Sequence, residues 1–376
     1  MLSILSEIKK LRGSDAPLSI DLNNTNRYRV VINETDGTKT AYYFSTPIYN
    51  NISKKLLSMK FDADDNEINY VGSNAKIKFS DKVVLENEYG SFSVSLNNNV
   101  IFINEHELHS EKNKIFPTTN GFAYLAYCSE NSPISFEIET SVHFLNVRSN
   151  EKYFSLMRDK FEPFLTISCI GSSEANKTIV APAKIKFDKL SDRSYKLYVT
   201  PCTPTCEFVL VEINMYEPKL FQDTTVESNT PTENNAFGSI AFIGNTKEFG
   251  EQWLYSRPNF TILSELLDKR IQKIRFHIPT LNYSNVTLTG YSISSRFCSF
   301  GSNWENKIPL KDVVANSYVT EGYQHFDITK PLTNKEQMLE RSEGLILRSK
   351  VKNSGFSVIS TGDSYYAPQI LEINFR

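Results

Sequence analysis

The sequence predicts an all-β protein that begins with one short helix. Phe (25 residues) and Tyr (19) far outnumber Trp (2), and aromatic and β-branched residues are enriched in strands. Short apolar runs are separated by turn clusters such as residues 34–37 and 88–90, a spacing typical of sandwiches and barrels. No alternation of strand and helix patterns occurs, which argues against a parallel nucleotide-binding sheet.

Residues 1–17 are predicted to form a helical arm. Leu5, Ile8 and Leu11 recur at helical spacing, and Gly13 ends the pattern. The charges follow the apolar positions and no cleavage-type site comes after them, so this is not the pattern of a signal peptide. We expect an amphipathic helix that docks on a neighbouring domain or subunit. We also expect synthesis in the cytoplasm, with the final location open and a particle or surface assembly among the options.

Charge and length exclude several partners. The net charge is −2 and no run of Lys or Arg occurs, so we expect no nucleic-acid partner. No stretch approaches the roughly 20 apolar residues that span a bilayer, so we expect no membrane insertion. A chain of 376 residues with 40% hydrophobic and 22% charged residues predicts two or three folded domains.

The first 217 residues contain similar strings that predict an internal duplication. Tyr-Phe-Ser at residues 43–45 recurs at 153–155, and Ala-Lys-Ile-Lys-Phe at 75–79 recurs at 183–187. The two offsets are nearly equal and domain-sized, too long for a solenoid repeat. We therefore expect two similar β-sandwich domains, at residues 18–122 and 123–217. Chance similarity between short strand-like strings is the alternative.

A domain boundary is predicted after residue 217. Residues 217–235 are polar and rich in Thr, Glu and Asn, as expected of a connection between domains. Beyond it, residues 273–279 alternate between apolar and polar as a half-buried strand does. The third domain is therefore expected at residues 218–376.

The sequence contains none of the common catalytic motifs. A Gly-x-Ser-x-Gly elbow, a phosphate-binding loop with Lys and a dinucleotide-binding fingerprint are all absent. We therefore expect no enzymatic activity and no cofactor. Four acidic residues lie close together and could hold Ca²⁺ through oxygen ligands, but they lack the central Gly and distal Glu of an EF-hand loop, so we favour an exposed hairpin tip. They are Asp62, Asp64, Asp65 and Glu67.

Histidine and cysteine give no stronger metal site. His106 and His109 are spaced for one helical face, but their surroundings favour a solvated loop. The five cysteines are expected to be reduced thiols. Cys202 and Cys206 could close a small disulfide loop or form half of a zinc site, and the sequence leaves their bonding open.

The last domain carries an ordered series of short landmarks. They are Asp-Thr-Thr-Val at 223–226, Leu-Tyr-Ser-Arg at 254–257, Trp304, Phe-Asp-Ile-Thr at 326–329, Gly-Leu-Ile-Leu at 344–347 and Ala-Pro-Gln-Ile-Leu-Glu-Ile at 367–373. In this order they resemble the DNRLRE (disaggregatase-related) domain family over about residues 219–376. The resemblance implies a jelly-roll-like β-sandwich related to a carbohydrate-binding module family, and it does not imply an enzyme.

Five residues of this domain are candidate ligand contacts. Trp304 could form an aromatic platform for a sugar, although core packing is the alternative. Arg257 could contact an acidic sugar or pair with a carboxylate. The remaining three lie in the loop before the last strand, where Thr and Gly at 361–362 depart from the family pattern and weaken a ligand role. They are Asp363, Tyr365 and Tyr366.

Two functions follow from these observations. The first is a non-enzymatic structural protein of a fibre, coat or particle surface, a phage particle included, that assembles with itself as a homo-oligomer or with other structural subunits. The duplication, the missing catalytic groups and the N-terminal helix favour it. The alternative is a carbohydrate-binding protein whose C-terminal sandwich holds an acidic polysaccharide.

Overall fold

The all-β class is confirmed by a computed structural model in which strands dominate and one short helix occurs within the described ranges. The structure describes residues 4–50, 55–57, 67–68, 76–79, 82–96, 101–102, 114–128, 133–142, 146–173, 179–203, 208–258, 266, 268–282, 286–293, 295–329, 344–350 and 355–376. Two compact units divide the chain. Unit 1 comprises Lys55–Glu217, and unit 2 comprises Ile4–Lys54 with Pro218–Arg376.

Unit 2 begins with the helix and three strands. They are α1 Ile4–Arg12, β1 Arg29–Asn33, β2 Lys39–Phe44 and β3 Tyr49–Asn50. Unit 1 then follows with strands that fold back on one another. They are β4 Lys55–Leu56, β5 Glu67–Ile68, β6 Lys76–Phe79, β7 Val83–Asn87, β8 Gly90–Ser95, β9 Ile101–Phe102, β10 Lys114–Pro117, β11 Gly121–Tyr127, β12 Ile134–Thr140, β13 Asn146–Ser149, β14 Tyr153–Met157, β15 Pro163–Ser173, β16 Ile179–Ala181, β17 Ala183–Ser191, β18 Ser194–Pro201 and β19 Phe208–Met215.

The rest of unit 2 follows Pro218. Its strands are β20 Phe221–Glu227, β21 Ile240–Thr246, β22 Gly250–Pro258, β23 Ile271–Pro279, β24 Leu288–Ser292, β25 Val313–Asn316, β26 Tyr318–Thr320, β27 Tyr323–Asp327, β28 Leu345–Ser349, β29 Phe356–Ser360 and β30 Ile370–Phe375.

Unit 1 is a sandwich of two sheets around one core. Sheet 1 has the order β17-β18-β12-β8-β7-β6-β5, and sheet 2 the order β13-β14-β15-β19-β11-β10-β9, with β16 paired to β15. Alternate side chains of both sheets, such as Phe92 and Leu197 of sheet 1 and Phe122 and Ile213 of sheet 2, form one buried cluster. Burial of this apolar area is the main force that holds the sheets together.

The two separate sandwiches predicted for residues 18–122 and 123–217 are wrong. The predicted division falls inside β11, and each sheet of unit 1 takes strands from both halves. The similar strings have a simpler cause: Ile77 and Ile185 point into the same core from two strands of sheet 1, so both strands need the same alternation. Tyr43 lies in unit 2, whereas Tyr153 lies in unit 1.

Unit 2 is a second sandwich, and the chain crosses between its two sheets repeatedly, in the manner of a jelly roll. Sheet 3 has the order β1-β2-β30-β23-β27-β26, and sheet 4 the order β25-β24-β28-β22-β21-β29, with β20 paired to β22. Phe276 and Ile373 of sheet 3 meet Leu254 and Leu347 of sheet 4 in the core. The first strands belong here because β2 pairs with the C-terminal β30. Residues 29–44 are therefore not part of an N-terminal sandwich.

Helix α1 packs on unit 2. Gly13 ends it at φ +62°, and the amides of Gly13 and Ser14 donate to the carbonyls of Lys10 and Lys9, a glycine-terminated helix end. Ile8 is fully buried. Tyr323 donates a hydrogen bond to Glu7 from sheet 3. No helix in the described ranges is long and apolar enough to cross a membrane.

Candidate functional site

A buried polar cluster lies on the outer face of sheet 3. In β23, Ile274, Phe276 and Ile278 point into the core, so His277 faces the other way, because side chains alternate along a strand. His277 stands directly opposite His325 of β27. Both imidazoles are buried. A polar pair on an outer face therefore has to find its hydrogen-bond partners within the protein.

The two rings link a surface hydroxyl to a buried carboxylate. The Nδ1 atoms of His277 and His325 are 2.7 Å apart. His277 Nε2 lies 2.8 Å from Glu372 Oε2, and His325 Nε2 lies 2.8 Å from Thr320 Oγ1. With both rings neutral, one arrangement gives every ring nitrogen a partner: Thr320 donates to His325, His325 to His277, and His277 to Glu372. His325 Nε2 also lies 3.2 Å from the Thr320 carbonyl oxygen, which can accept from this nitrogen when it carries a proton. We call these four residues the histidine relay.

The electrostatics of the relay keep His325 neutral and Glu372 ionised. Burial, reinforced by neighbouring His277, lowers the pKa of His325 to about 4. Burial acts to raise the pKa of Glu372, but the hydrogen bond from His277 and the positive charges of Arg275 and Lys273 outweigh it, so this pKa is lowered. The relay can therefore take up one proton in acid, and it does so at the cost of a buried charge.

The ring nitrogens of the relay are all engaged, which leaves none directed at a metal ion. Within the described part of the chain, no group of three His, Cys, Asp or Glu side chains is placed to hold one. The arrangement is thus suited to proton uptake.

An uncharged ribbon runs past the relay along one side of unit 2. Residues 313–320 form β25, the edge of sheet 4, and then β26, the edge of sheet 3. Between them Ser317 is buried and anchored to Leu288, whose amide donates to Ser317 Oγ at 2.8 Å. We call residues 313–320 the edge ribbon. It contains no charged residue, Pro or Gly.

The edge ribbon exposes apolar side chains. Val313, Tyr318 and Val319 are 56%, 45% and 39% exposed. Long unprotected edges invite pairing with another strand, and charges, Pro or a covering segment normally prevent it. The ribbon shows none of these among the described residues that pair with it.

Three other edge strands among the described residues are protected. In sheet 4, β29 is covered by residues 280–282: Leu281 donates to the Val358 carbonyl, and the Val358 amide donates to Asn282. In sheet 3, β1 is covered by residues 19–21, through a 2.8 Å bond from the Asp21 amide to the Val31 carbonyl. In sheet 1, the edge strand β17 carries Lys and Asp side chains. The open ribbon therefore stands out from the edges around it.

The structure brings Trp304 and Arg257 to one aromatic cluster on the outer face of sheet 4. Trp304 is half-buried and packs against Trp253, with ring centroids 5.2 Å apart. Lys307 lies over the Trp304 ring at 4.4 Å. Arg257 lies over Phe297 and donates to Gln222. Trp304 is thus both a packing residue and a partly accessible ring beside cations.

The loop candidates lie elsewhere, near the start of β20. Tyr365 is fully buried under Lys219, so its ring cannot serve as a surface platform. Asp363 forms an ion pair of 2.5 Å with Lys219, and Tyr366 is half-buried. Burial and the charge of Asp363 raise the pKa of Asp223 well above its usual value. This group holds the loop in place rather than presenting it to a ligand.

Asp327 stabilises the end of β27 through local hydrogen bonds. Its carboxylate accepts from the Thr329 amide at 3.0 Å and from Thr329 Oγ1 at 2.6 Å, which fixes the turn after β27.

Several weaker candidates fall outside the described residues. They are Asp62, Asp64, Asp65, His106, His109 and Cys206. Glu67 begins β5, and its side chain is outside the description too.

Sequence reasoning missed the relay and the edge ribbon. The relay joins residues 48 and 95 positions apart in sequence, which no local pattern reveals. The ribbon did leave a signal: eight consecutive residues without charge, Pro or Gly.

No protein-family model matches the chain, and no curated protein is significantly similar to it in sequence.

Proposed function

We propose that this chain is a non-enzymatic structural subunit whose copies associate through the edge ribbon. The observation that carries the proposal is the ribbon itself, an uncharged edge of two sheets with Val313, Tyr318 and Val319 exposed. A soluble monomer would be expected to protect such an edge. In an assembly, the same edge supplies backbone hydrogen bonds and apolar contact together.

A second copy of the chain is the partner that fits. The unpaired amides and carbonyls of an edge strand are satisfied by another strand, and each copy brings an identical open edge. Antiparallel pairing of two such edges is self-complementary and gives a two-fold dimer. Because β25 and β26 belong to different sheets, one copy can present two edges, and pairing at both allows larger assemblies.

Sedimentation velocity of the full chain from about 1 to 100 µM tests the proposal. Val319→Lys places a charge on the ribbon, and we expect it to weaken association by at least about tenfold. Leu190→Lys is the matched control, because Leu190 is 53% exposed on β17 in unit 1. It should associate as the unaltered chain does. A monomer at every concentration, or equal association of both variants, would refute the proposal.

A second candidate function is binding of an acidic polysaccharide on the outer face of sheet 4. The resemblance to the DNRLRE family supports it, and so does one geometric observation: Lys307 and Arg348 lie over the rings of Trp304 and Trp253. Exposed aromatic carbons can contact the apolar face of a sugar while cations bind its carboxylates.

Retention on immobilised alginate or polygalacturonate tests this second function. Lys307→Gln together with Arg348→Gln should abolish retention and leave thermal unfolding nearly unchanged. Lys186→Gln together with Lys189→Gln, two exposed lysines of β17 in unit 1, is the charge-matched control. Absence of retention by the unaltered chain at low salt would exclude the function for these polymers.

A further inference from the structure

We propose that the histidine relay makes pairing of the edge ribbon depend on pH, so that copies separate in mild acid. This inference rests on the proposed self-association and names the regulation of the same surface. Its basis is the direct contact between β26 and His325.

Two ribbon residues rest on the His325 ring. Tyr318 stands opposite His325 in the hairpin and stacks on it, with centroids 4.9 Å apart and planes 21° apart. Thr320 Oγ1 is hydrogen-bonded to the outer nitrogen of the same ring, His325 Nε2. Two of the three residues of β26 are therefore positioned by one imidazole, and the third is the exposed Val319.

The groups around His325 oppose a positive charge there. Burial lowers its pKa most, followed by His277 and, less strongly, Arg275 of β23, while the Thr320 carbonyl and Glu372 of β30 partly offset them. From β27, Tyr323 packs on the ring at 5.9 Å and directs its hydroxyl to Glu7 of α1. Within the relay, the carboxylate of Glu372 is already bonded to His277, and the carboxylate of Glu7 accepts from Tyr323.

A proton on the relay changes the hydrogen bond to the ribbon. The neutral His325 Nε2 accepts from the Thr320 hydroxyl, whereas a protonated ring donates from that atom, with the Thr320 carbonyl oxygen 3.2 Å away as its acceptor. The positive charge then stays buried beside His277 and Arg275. The alternative is to expose the ring to water, where its pKa returns to the ordinary range of about 6.5. Opening requires only β26 to detach, and a three-residue edge strand opens at little cost.

The size of the effect follows from the two protonation states. With a pKa of about 4 when β26 is closed and about 6.5 when it is open, the open state gains roughly 30-fold between pH 7.5 and pH 5.0. An open β26 cannot present the ribbon, so association weakens in the same direction.

Sedimentation velocity at pH 7.5 and pH 5.0 tests the inference, with His325→Gln as the variant. We expect the association constant of the unaltered chain to fall at least about fivefold at pH 5.0, and that of His325→Gln to change less than about twofold. An equal fall in both proteins would overturn the inference, since titration elsewhere would then explain it.

Hydrogen exchange separates this result from failure of the assembly proposal. In Val319→Lys, held monomeric by design, the protection factors of Tyr318–Thr320 should fall at least about tenfold between pH 7.5 and pH 5.0. They should do so even if the unaltered chain never associates. Unchanged protection would overturn the inference. If His325→Gln does not fold, the protection of Tyr318–Thr320 in the unaltered chain is compared at pH 7.5 and pH 5.0 instead.

Discussion

His277 and His325 face each other with their Nδ1 atoms 2.7 Å apart. At that distance only one of the two nitrogens can carry a proton, because two N–H groups cannot point at each other. A proton added to His325 therefore enters at Nε2, on the side of Thr320. Burial and the neighbouring His277 oppose that proton in the folded state, which ties stability to pH.

The first prediction concerns stability in acid. The pKa of His325 is lowered to about 4 by burial and by His277, so the unfolded chain binds a proton that the folded chain refuses. The stabilisation is complete above about pH 6.5 and is lost as the pH falls toward 4. We expect it to amount to about 2 kcal/mol after allowance for solvent screening. Urea unfolding at several pH values measures it, and His325→Gln should remove most of the slope in this window.

Asp223 gives a prediction of opposite sign. Its raised pKa, caused by burial and by Asp363, means that the folded state holds a proton that the unfolded state releases. Its contribution is complete below its unfolded pKa, about 3.9, and is lost as the pH rises through the folded pKa. Asp223→Asn keeps an acceptor for the Gly362 amide. We expect it to stabilise the protein by about 1 kcal/mol or more at pH 8.

The check for Asp223→Asn is thermal unfolding at pH 4 and pH 8. The gain should appear at pH 8 and largely disappear at pH 4, where the native carboxyl is protonated in the folded state and about half protonated in the unfolded chain. Asp327→Asn is the comparison, because the pKa of Asp327 is lowered rather than raised: burial opposes the shift, but the bonds from Thr329 exceed it. It should destabilise at pH 8. Equal effects of Asp223→Asn at pH 4 and pH 8 would contradict the raised pKa of Asp223.

Helix α1 supplies a third prediction. Ile8 is fully buried and Leu11 is half-buried, although both belong to the apolar stripe seen in the sequence. Ile8→Ala should cost about 2–4 kcal/mol of unfolding free energy, the range for a buried aliphatic truncation. Leu11→Ala should cost about 1 kcal/mol. Calorimetry distinguishes them, and equal costs would mean that the helix does not dock through Ile8.

Local features of the fold could be predicted from the sequence. The apolar stripe that includes Ile8, ended by Gly13, predicted helix α1. The alternation of apolar and polar residues over 273–279 predicted strand β23. The polar connection after residue 217 coincides with the division between the two units. Each of these depends on neighbours within one element or one connection, which is the information that periodicity and turn residues contain.

Strand partners could not be predicted. Tyr43 pairs with Leu371, although the two residues lie near opposite ends of the chain. The similar alternation in β6 and β17 predicted a repeat, whereas the two strands belong to one sheet. Alternation states which face a residue occupies and not which strand lies beside it. The same limit hid the contact of His277 with His325. The sequence also could not show that Trp304 is partly accessible whereas Tyr365 is fully buried. A resemblance in landmark order does not say which side chains are exposed.

Gly244 gives the last prediction, because β21 tolerates no side chain there. Its φ is +137°, and a Cβ would lie 2.2 Å from the Gly355 carbonyl oxygen and 2.7 Å from Phe356 Cα on β29. Both are backbone atoms, one in β29 and one in the residue just before it, so the clash is relieved only by separating β21 from β29. Gly244→Ala should therefore cost more than about 3 kcal/mol and lower the melting temperature by about 6 °C or more. Gly238→Ala, where the nearest atom is 3.7 Å away, should change it by less than about 2 °C. If both variants have the same melting temperature, the close approach of β21 and β29 is not what requires glycine at residue 244.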